Sequence, residues 1–134
     1  MASRLQQELK KKHPFELPSQ EATIALLRTN DQLQIHFTRL LRQYGLTPSQ
    51  YNVLRILRGE GQPLPILEIA SRTVTVVPGI TGLIDRLEAS GLVLRERSAD
   101  DRRVVHVTLT DKARRLLAKI DDPLVALHEK LMAH

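Results

Sequence analysis

Between Thr47 and Thr110 the apolar residues change their spacing, and that change leaves few folds open to the chain. Tyr51, Leu54 and Leu57, and later Ile80, Leu83, Ile84 and Leu87, recur at threes and fours, the mark of helices with one buried stripe. From Leu92 the spacing falls to two: Val105, Val107 and Leu109 face one way, and Val104, His106 and Thr108 the other. The polar loop Ser98 to Arg102 joins the runs 92–97 and 103–109 into a hairpin.

Local signals set the expected boundaries. Thr47 caps a helix with Pro48 in its first turn and Gln50 three residues after the cap, and Gly59 and Gly61 end it. Pro63 and Pro65 lead into a short helix, Ile66 to Ser71, whose apolar residues are Ile66, Leu67, Ile69 and Ala70. The next helix is expected to start near Val77 or Pro78 and to close at Gly91. Upstream, Leu26, Leu33, Phe37, Leu40 and Tyr44 mark a long amphipathic helix from Glu21 to Tyr44, ended by Gly45. Residues 1–20, broken by Pro14 and Pro18, are expected to form an arm whose large apolar anchor is Phe15. Downstream, Thr110 caps a helix from Asp111 to Ile120, and Asp121-Asp122-Pro123 predicts a stop and restart before a last helix.

The 134 residues suit one domain. There is no apolar run of the roughly 20 residues that a membrane span needs, and no signal-like start, so a cytoplasmic protein is expected. The absence of cysteine excludes disulfides, thiolate metal sites and thiol-based sensing. The net charge is +5, and 14 of the 20 cations are Arg, the side chain suited to phosphates and base edges. His13, His36, His106, His128 and His134 include no pair at metal-ligand spacing, and no catalytic triad, phosphate loop or carboxylate pair is in frame. No metal, cofactor or enzymatic activity is expected.

Three short helices and then a basic hairpin is the element order of a winged helix-turn-helix. Leu46-Thr47-Pro48-Ser49-Gln50-Tyr51-Asn52-Val53-Leu54, Leu83-Ile84-Asp85-Arg86-Leu87-Glu88 followed by Gly91-Leu92-Val93, and Asp100-Asp101-Arg102-Arg103 running into Val107-Thr108-Leu109-Thr110 together resemble the MarR family of bacterial transcriptional regulators. The resemblance covers roughly residues 21–131. It implies a mainly α fold with a small β-hairpin wing: an arm at 1–20, a helical dimerisation region at 21–45 and 111–134, and a winged helix-turn-helix DNA-binding region at 46–110. It further implies a cytoplasmic homodimeric repressor on a palindromic operator, with half-sites about 34 Å apart, released by a small aromatic or phenolic effector. A winged-helix module that binds protein instead of DNA is the alternative.

By the same resemblance Arg103 is the wing-tip arginine, Asp101 the carboxylate that holds it, and Arg102 a phosphate contact. Ser98-Ala99 stands where many members carry Asp-Pro. On the recognition helix the outward line Pro78, Gly82, Asp85 and Ala89 is poor in donors for base edges; Thr75, Thr81 and Arg86 are the polar exceptions. Val76, Pro78 and Thr81 are placed to touch thymine methyls, so specificity is expected to lean on DNA shape and on the wing. Arg86 is a candidate phosphate contact, with pairing to Glu88 or Ser90 the alternative, and Arg72 has a similar role; Gly79 and Arg97 complete the DNA-facing set. Arg55 and Arg58 are read as solubilising surface charges. The resemblance implies an effector pocket that Phe37, Leu41, Tyr44, Tyr51 and Leu54 would line, with Arg39 or Arg42 as counter-ion; plain core is the preferred reading of these apolar residues. Dimer contacts are expected from Phe15, Leu26, Leu33, Leu116, Ile120, Leu124, Leu127 and Leu131.

Overall fold

The computed structural model describes residues 1–133; His134, one of the five histidines above and the end of the expected dimerisation region, lies outside the described residues. In chain order the elements are α1 (Arg4–Glu8), α2 (Pro18–Arg42), α3 (Pro48–Glu60), β1 (Leu64–Pro65), α4 (Ile66–Ser71), α5 (Ile80–Ala89), β2 (Val93–Arg97), β3 (Val105–Leu109) and α6 (Asp111–Met132). Contacts divide the chain into two compact units, one ending at Phe37 and one beginning at Thr38, with the boundary inside α2.

In the first unit the expected arm contains a helical turn. Ser3 caps α1 by accepting from the Gln6 N–H at 3.2 Å, and the Gln6 side chain donates to the Lys11 carbonyl at 3.2 Å. Glu8 pairs with Arg4 on its own helix and stands 3.6 Å from Arg28 of α2. Lys11 lies over the ring of Phe15 at 5.4 Å. α2 starts at Pro18, three residues before the expected Glu21, because proline is tolerated in a first turn, where its missing N–H has no partner to lose.

In the second unit α3 carries the full expected capping box: Thr47 Oγ1 accepts from the Gln50 N–H, and Gln50 Oε1 accepts from the Thr47 N–H. Gly59 lies inside α3, and Gly61 alone caps it, in the left-handed conformation that glycine adopts without strain. α4 occupies the expected residues, but only Ile69 of its apolar set is fully buried, and Leu67 is exposed. α5 begins at Ile80, later than expected, because Gly79 in the left-handed region ends the preceding turn and caps the helix.

The hairpin forms as expected, with Val93 opposite Leu109, Arg95 opposite Val107 and Arg97 opposite Val105. It gains a third strand that periodicity does not reveal: β1, two residues long, pairs with β3 through Leu64 opposite Val107, giving the antiparallel order β1-β3-β2. Leu64, Val93, Val107 and Leu109 turn inward against α3, α4 and α5, where Val53, Leu54, Ile69, Ile84 and Leu87 complete the core.

α6 corrects the expected stop and restart. It runs unbroken from Asp111 to Met132 with Pro123 inside, and Thr110 caps it by accepting from the Ala113 N–H. Pro123 removes one main-chain hydrogen bond, but the apolar line continues across it, with Leu117 and Ile120 fully buried before it and Leu124 packed on the core after it. Among the described residues no helix is long and apolar enough to cross a membrane.

Candidate nucleic-acid interface

The tip of the hairpin is a closed hydrogen-bonded loop. The Ser98 N–H donates to the Val104 carbonyl at 2.9 Å, and the Val104 N–H donates to the Asp101 carbonyl at 3.0 Å. Ser98 Oγ accepts from the main-chain N–H groups of Asp100 and Asp101 at 3.3 and 3.4 Å, so a hydroxyl braces the turn. Arg97 donates across the loop to the Arg102 carbonyl at 2.8 Å.

Asp101 then aims Arg103. Its carboxylate accepts from the Arg103 main-chain N–H at 3.0 Å and from the guanidinium at 3.2 and 3.3 Å. The Arg103 side chain is 90% exposed, so the guanidinium is fixed at its base while its outer edge stays open. These bonds hold the Asp101 carboxyl below the usual carboxylate range.

A second bracket ties the hairpin to α5. The period of β2 puts Arg95 on the same face as the buried Val93, toward α5, where Asp85 and Glu88 stand one turn apart. The Arg95 guanidinium pairs with Asp85 and with Glu88 (3.2 Å), and its main-chain N–H donates to Glu88 at 3.0 Å. The arginine holds the Glu88 carboxyl below its ordinary value. Asp85, read from the sequence as part of an open outward line, is thereby neutralised. Arg95 was missed in the sequence, and Glu88 was read there only as a partner for Arg86; the phase of β2 against the i, i+3 carboxylates of α5 is the signal that joins them.

The remaining expected residues separate into two groups. Thr75, Val76, Pro78, Gly79, Thr81 and Arg86 are exposed on the turn between α4 and α5 and on the start of α5, and Gly82 is half-buried. Among the described residues Arg86 makes no ion pair, and its alternative partner Glu88 belongs to Arg95. A groove of about 470 Å³ brings Thr81 of α5 together with Ile66, Arg95, Glu96, Arg97 and Val105. Arg72, by contrast, is held by Glu60 at 2.7 Å and Glu68 at 3.0 Å, which raise its already high pKa.

Several other assignments are corrected. Arg58 is not merely a solubilising charge: both of its terminal nitrogens donate to Asp121 at 2.9 Å, joining α3 to α6, whereas Arg55 stays exposed and donates to Asn52 at 2.6 Å. Leu41 and Leu54 are core residues, in agreement with the core reading of that apolar set, whereas Ile120, expected at the dimer contact, is buried within the chain. Tyr51 packs on that core, and burial pushes its phenol up. Phe37 is half-buried in the first unit.

The second unit does hold a cleft of about 350 Å³, with Tyr44, Leu46, Leu92 and Leu116 as its apolar lining. Lys112, Arg115 and Lys119, at i, i+3 and i+7 on α6, supply one sign of charge, and no carboxylate lines it. Lys112 is engaged with the Ser90 carbonyl at the end of α5, at 2.7 Å.

Residues 46–105 match the sequence model of the MarR family. Among solved structures, a MarR transcription factor from Planctomyces limnophilus is 40% identical, with 90% of this chain and 87% of that chain covered and a TM-score of 0.76. BpsR of Bordetella bronchiseptica, whose structure is described as the mechanism by which 6-hydroxynicotinic acid regulates its DNA binding, is 25% identical, covers 90% of this chain and 85% of its own, and has a TM-score of 0.78. The homoprotocatechuate degradative operon repressor of Escherichia coli is 28% identical over 111 residues, 83% of this chain and 74% of its own length.

Proposed function

Because the chain belongs to the MarR family of winged-helix transcriptional regulators, we propose that it is a homodimeric repressor that binds a palindromic DNA operator through the α4–α5 turn, α5 and the hairpin wing. The observation that carries this reading is the wing tip, where Asp101 pre-aims an arginine that is 90% exposed. A narrow minor groove concentrates negative potential, and a guanidinium already fixed at its base loses little freedom on entering it. Thr75, Val76, Pro78, Gly79, Thr81 and Gly82 would meet the major groove, with Arg86, Arg97 and Arg102 on phosphates. Arg72 would contribute least, since a phosphate must compete with Glu60 and Glu68 for it.

The dimerisation surface would use Phe15, Leu26 and Leu33 of the first unit and Leu116, Leu124, Leu127 and Leu131 of α6. A small aromatic acid is the effector this reading favours. Its place would be the cleft beside Tyr44, with Arg115 and Lys119 as counter-ions, in place of the pocket expected around Leu41 and Leu54. A ligand there weakens operator binding only by preferring one arrangement of the protein over another.

The test is selection of bound duplexes from a random pool, followed by fluorescence anisotropy with wild type and Arg103→Ala. Recovery of an inverted repeat, with at least tenfold weaker binding by the variant, is expected. Failure to retain any duplex at low salt rejects the function. Titration with 6-hydroxynicotinate or 4-hydroxybenzoate, with Arg115→Ala as control, tests the effector site separately.

A further inference from the structure

The turn between α4 and α5 carries two bare apolar side chains. Val74 is 82% exposed and Val76 92% exposed, two residues apart, while Val77 beside them packs on the core and anchors the turn. No charged side chain follows Arg72 before Asp85, and both of those are occupied, Arg72 by Glu60 and Glu68 and Asp85 by Arg95. The segment therefore presents two stiff β-branched side chains flanked by the hydroxyls of Thr75 and Thr81, without the amide or guanidinium fork that reads adenine or guanine.

We infer that Val74 and Val76 read thymine C5-methyl groups, so that each operator half-site carries thymine at the major-groove positions facing this turn. The inference rests on the DNA-binding reading above and names what that surface recognises. The methyl of thymine is the apolar feature on a major-groove base edge, and it is the one that a valine complements. The surroundings favour this occupant over an apolar protein surface: Arg86, Arg97, Arg102 and Arg103 are all exposed on the same winged module, a cationic frame that matches a polyanion with methyls in its groove.

The experiment replaces each thymine of a selected operator, one at a time, by deoxyuridine, which removes only the methyl, and measures affinity by anisotropy. Wild type should lose about fourfold, the worth of one buried methyl-sized group, at one or two positions in each half-site. In Val74→Ala and Val76→Ala those penalties should fall away while penalties elsewhere stay. Both valines are exposed, so the variants should melt like wild type. Tight binding with deoxyuridine tolerated at every position, or with the same penalties in both variants, overturns the thymine reading alone. Absence of any duplex binding overturns it together with the function it rests on.

Discussion

Two arginines on the wing do opposite work because of the carboxylates beside them. Arg103 is oriented yet left open by Asp101, whereas Arg95 is consumed by Asp85 and Glu88. Asp101→Ala should therefore weaken DNA binding severalfold without lowering the melting temperature, because an exposed pair contributes little to stability. Arg95→Gln should weaken it too, by leaving Asp85 charged and bare near the phosphates. Arg95→Gln combined with Asp85→Asn should recover most of the loss; no recovery in this double-mutant cycle would mean that Arg95 acts only by holding β2 against α5. Folding lowers the pKa of both Asp101 and Glu88, so their contribution is fully present above the ordinary carboxylate range, about 3.9 to 4.3. It disappears as the pH falls through the lower folded values. An NMR titration of side-chain carboxyls should place Glu88 below the ordinary range in wild type and raise it part of the way back in Arg95→Gln, where the main-chain N–H of residue 95 still donates to it.

Helices with their own chemical punctuation were readable from the sequence. Thr47 and Gln50 fixed the start of α3, and α4 fell on its expected residues, since caps and prolines act within a turn of themselves. What was not readable depended on partners far along the chain. β1 is two residues long and exists only because β3 lies beside it. Arg58 finds Asp121 across 63 positions, and Arg95 finds Asp85 across a turn between elements. Pro123 signalled a break, but tertiary packing on both sides carried α6 through it. Pro123→Ala should accordingly raise stability by about 1–3 kcal/mol in thermal or denaturant melts, by restoring a main-chain hydrogen bond. An unchanged melt would show that the helix accommodates the ring at no cost. Thr47→Ala should cost about 1 kcal/mol through loss of the cap.

The homodimer proposed above would use the apolar surface left on the first unit and on α6. Leu26 is 72% exposed and Leu27 62% exposed on α2, and Val125 and Met132 are exposed on α6. A paired charge substitution, Leu26→Glu with Leu27→Glu, should yield a folded monomer by sedimentation velocity and weaken operator binding at least tenfold, because one winged module then meets one half-site. The measurement that bears most directly on the account is the salt dependence of affinity for a selected inverted repeat, compared between wild type and Arg103→Ala. DNA binding predicts that log affinity falls linearly with log salt, by about 0.9 per phosphate neutralised, and that the variant's slope is shallower by about one such step for each wing that is lost. A slope that does not change on removing Arg103, or an affinity indifferent to salt, would contradict it.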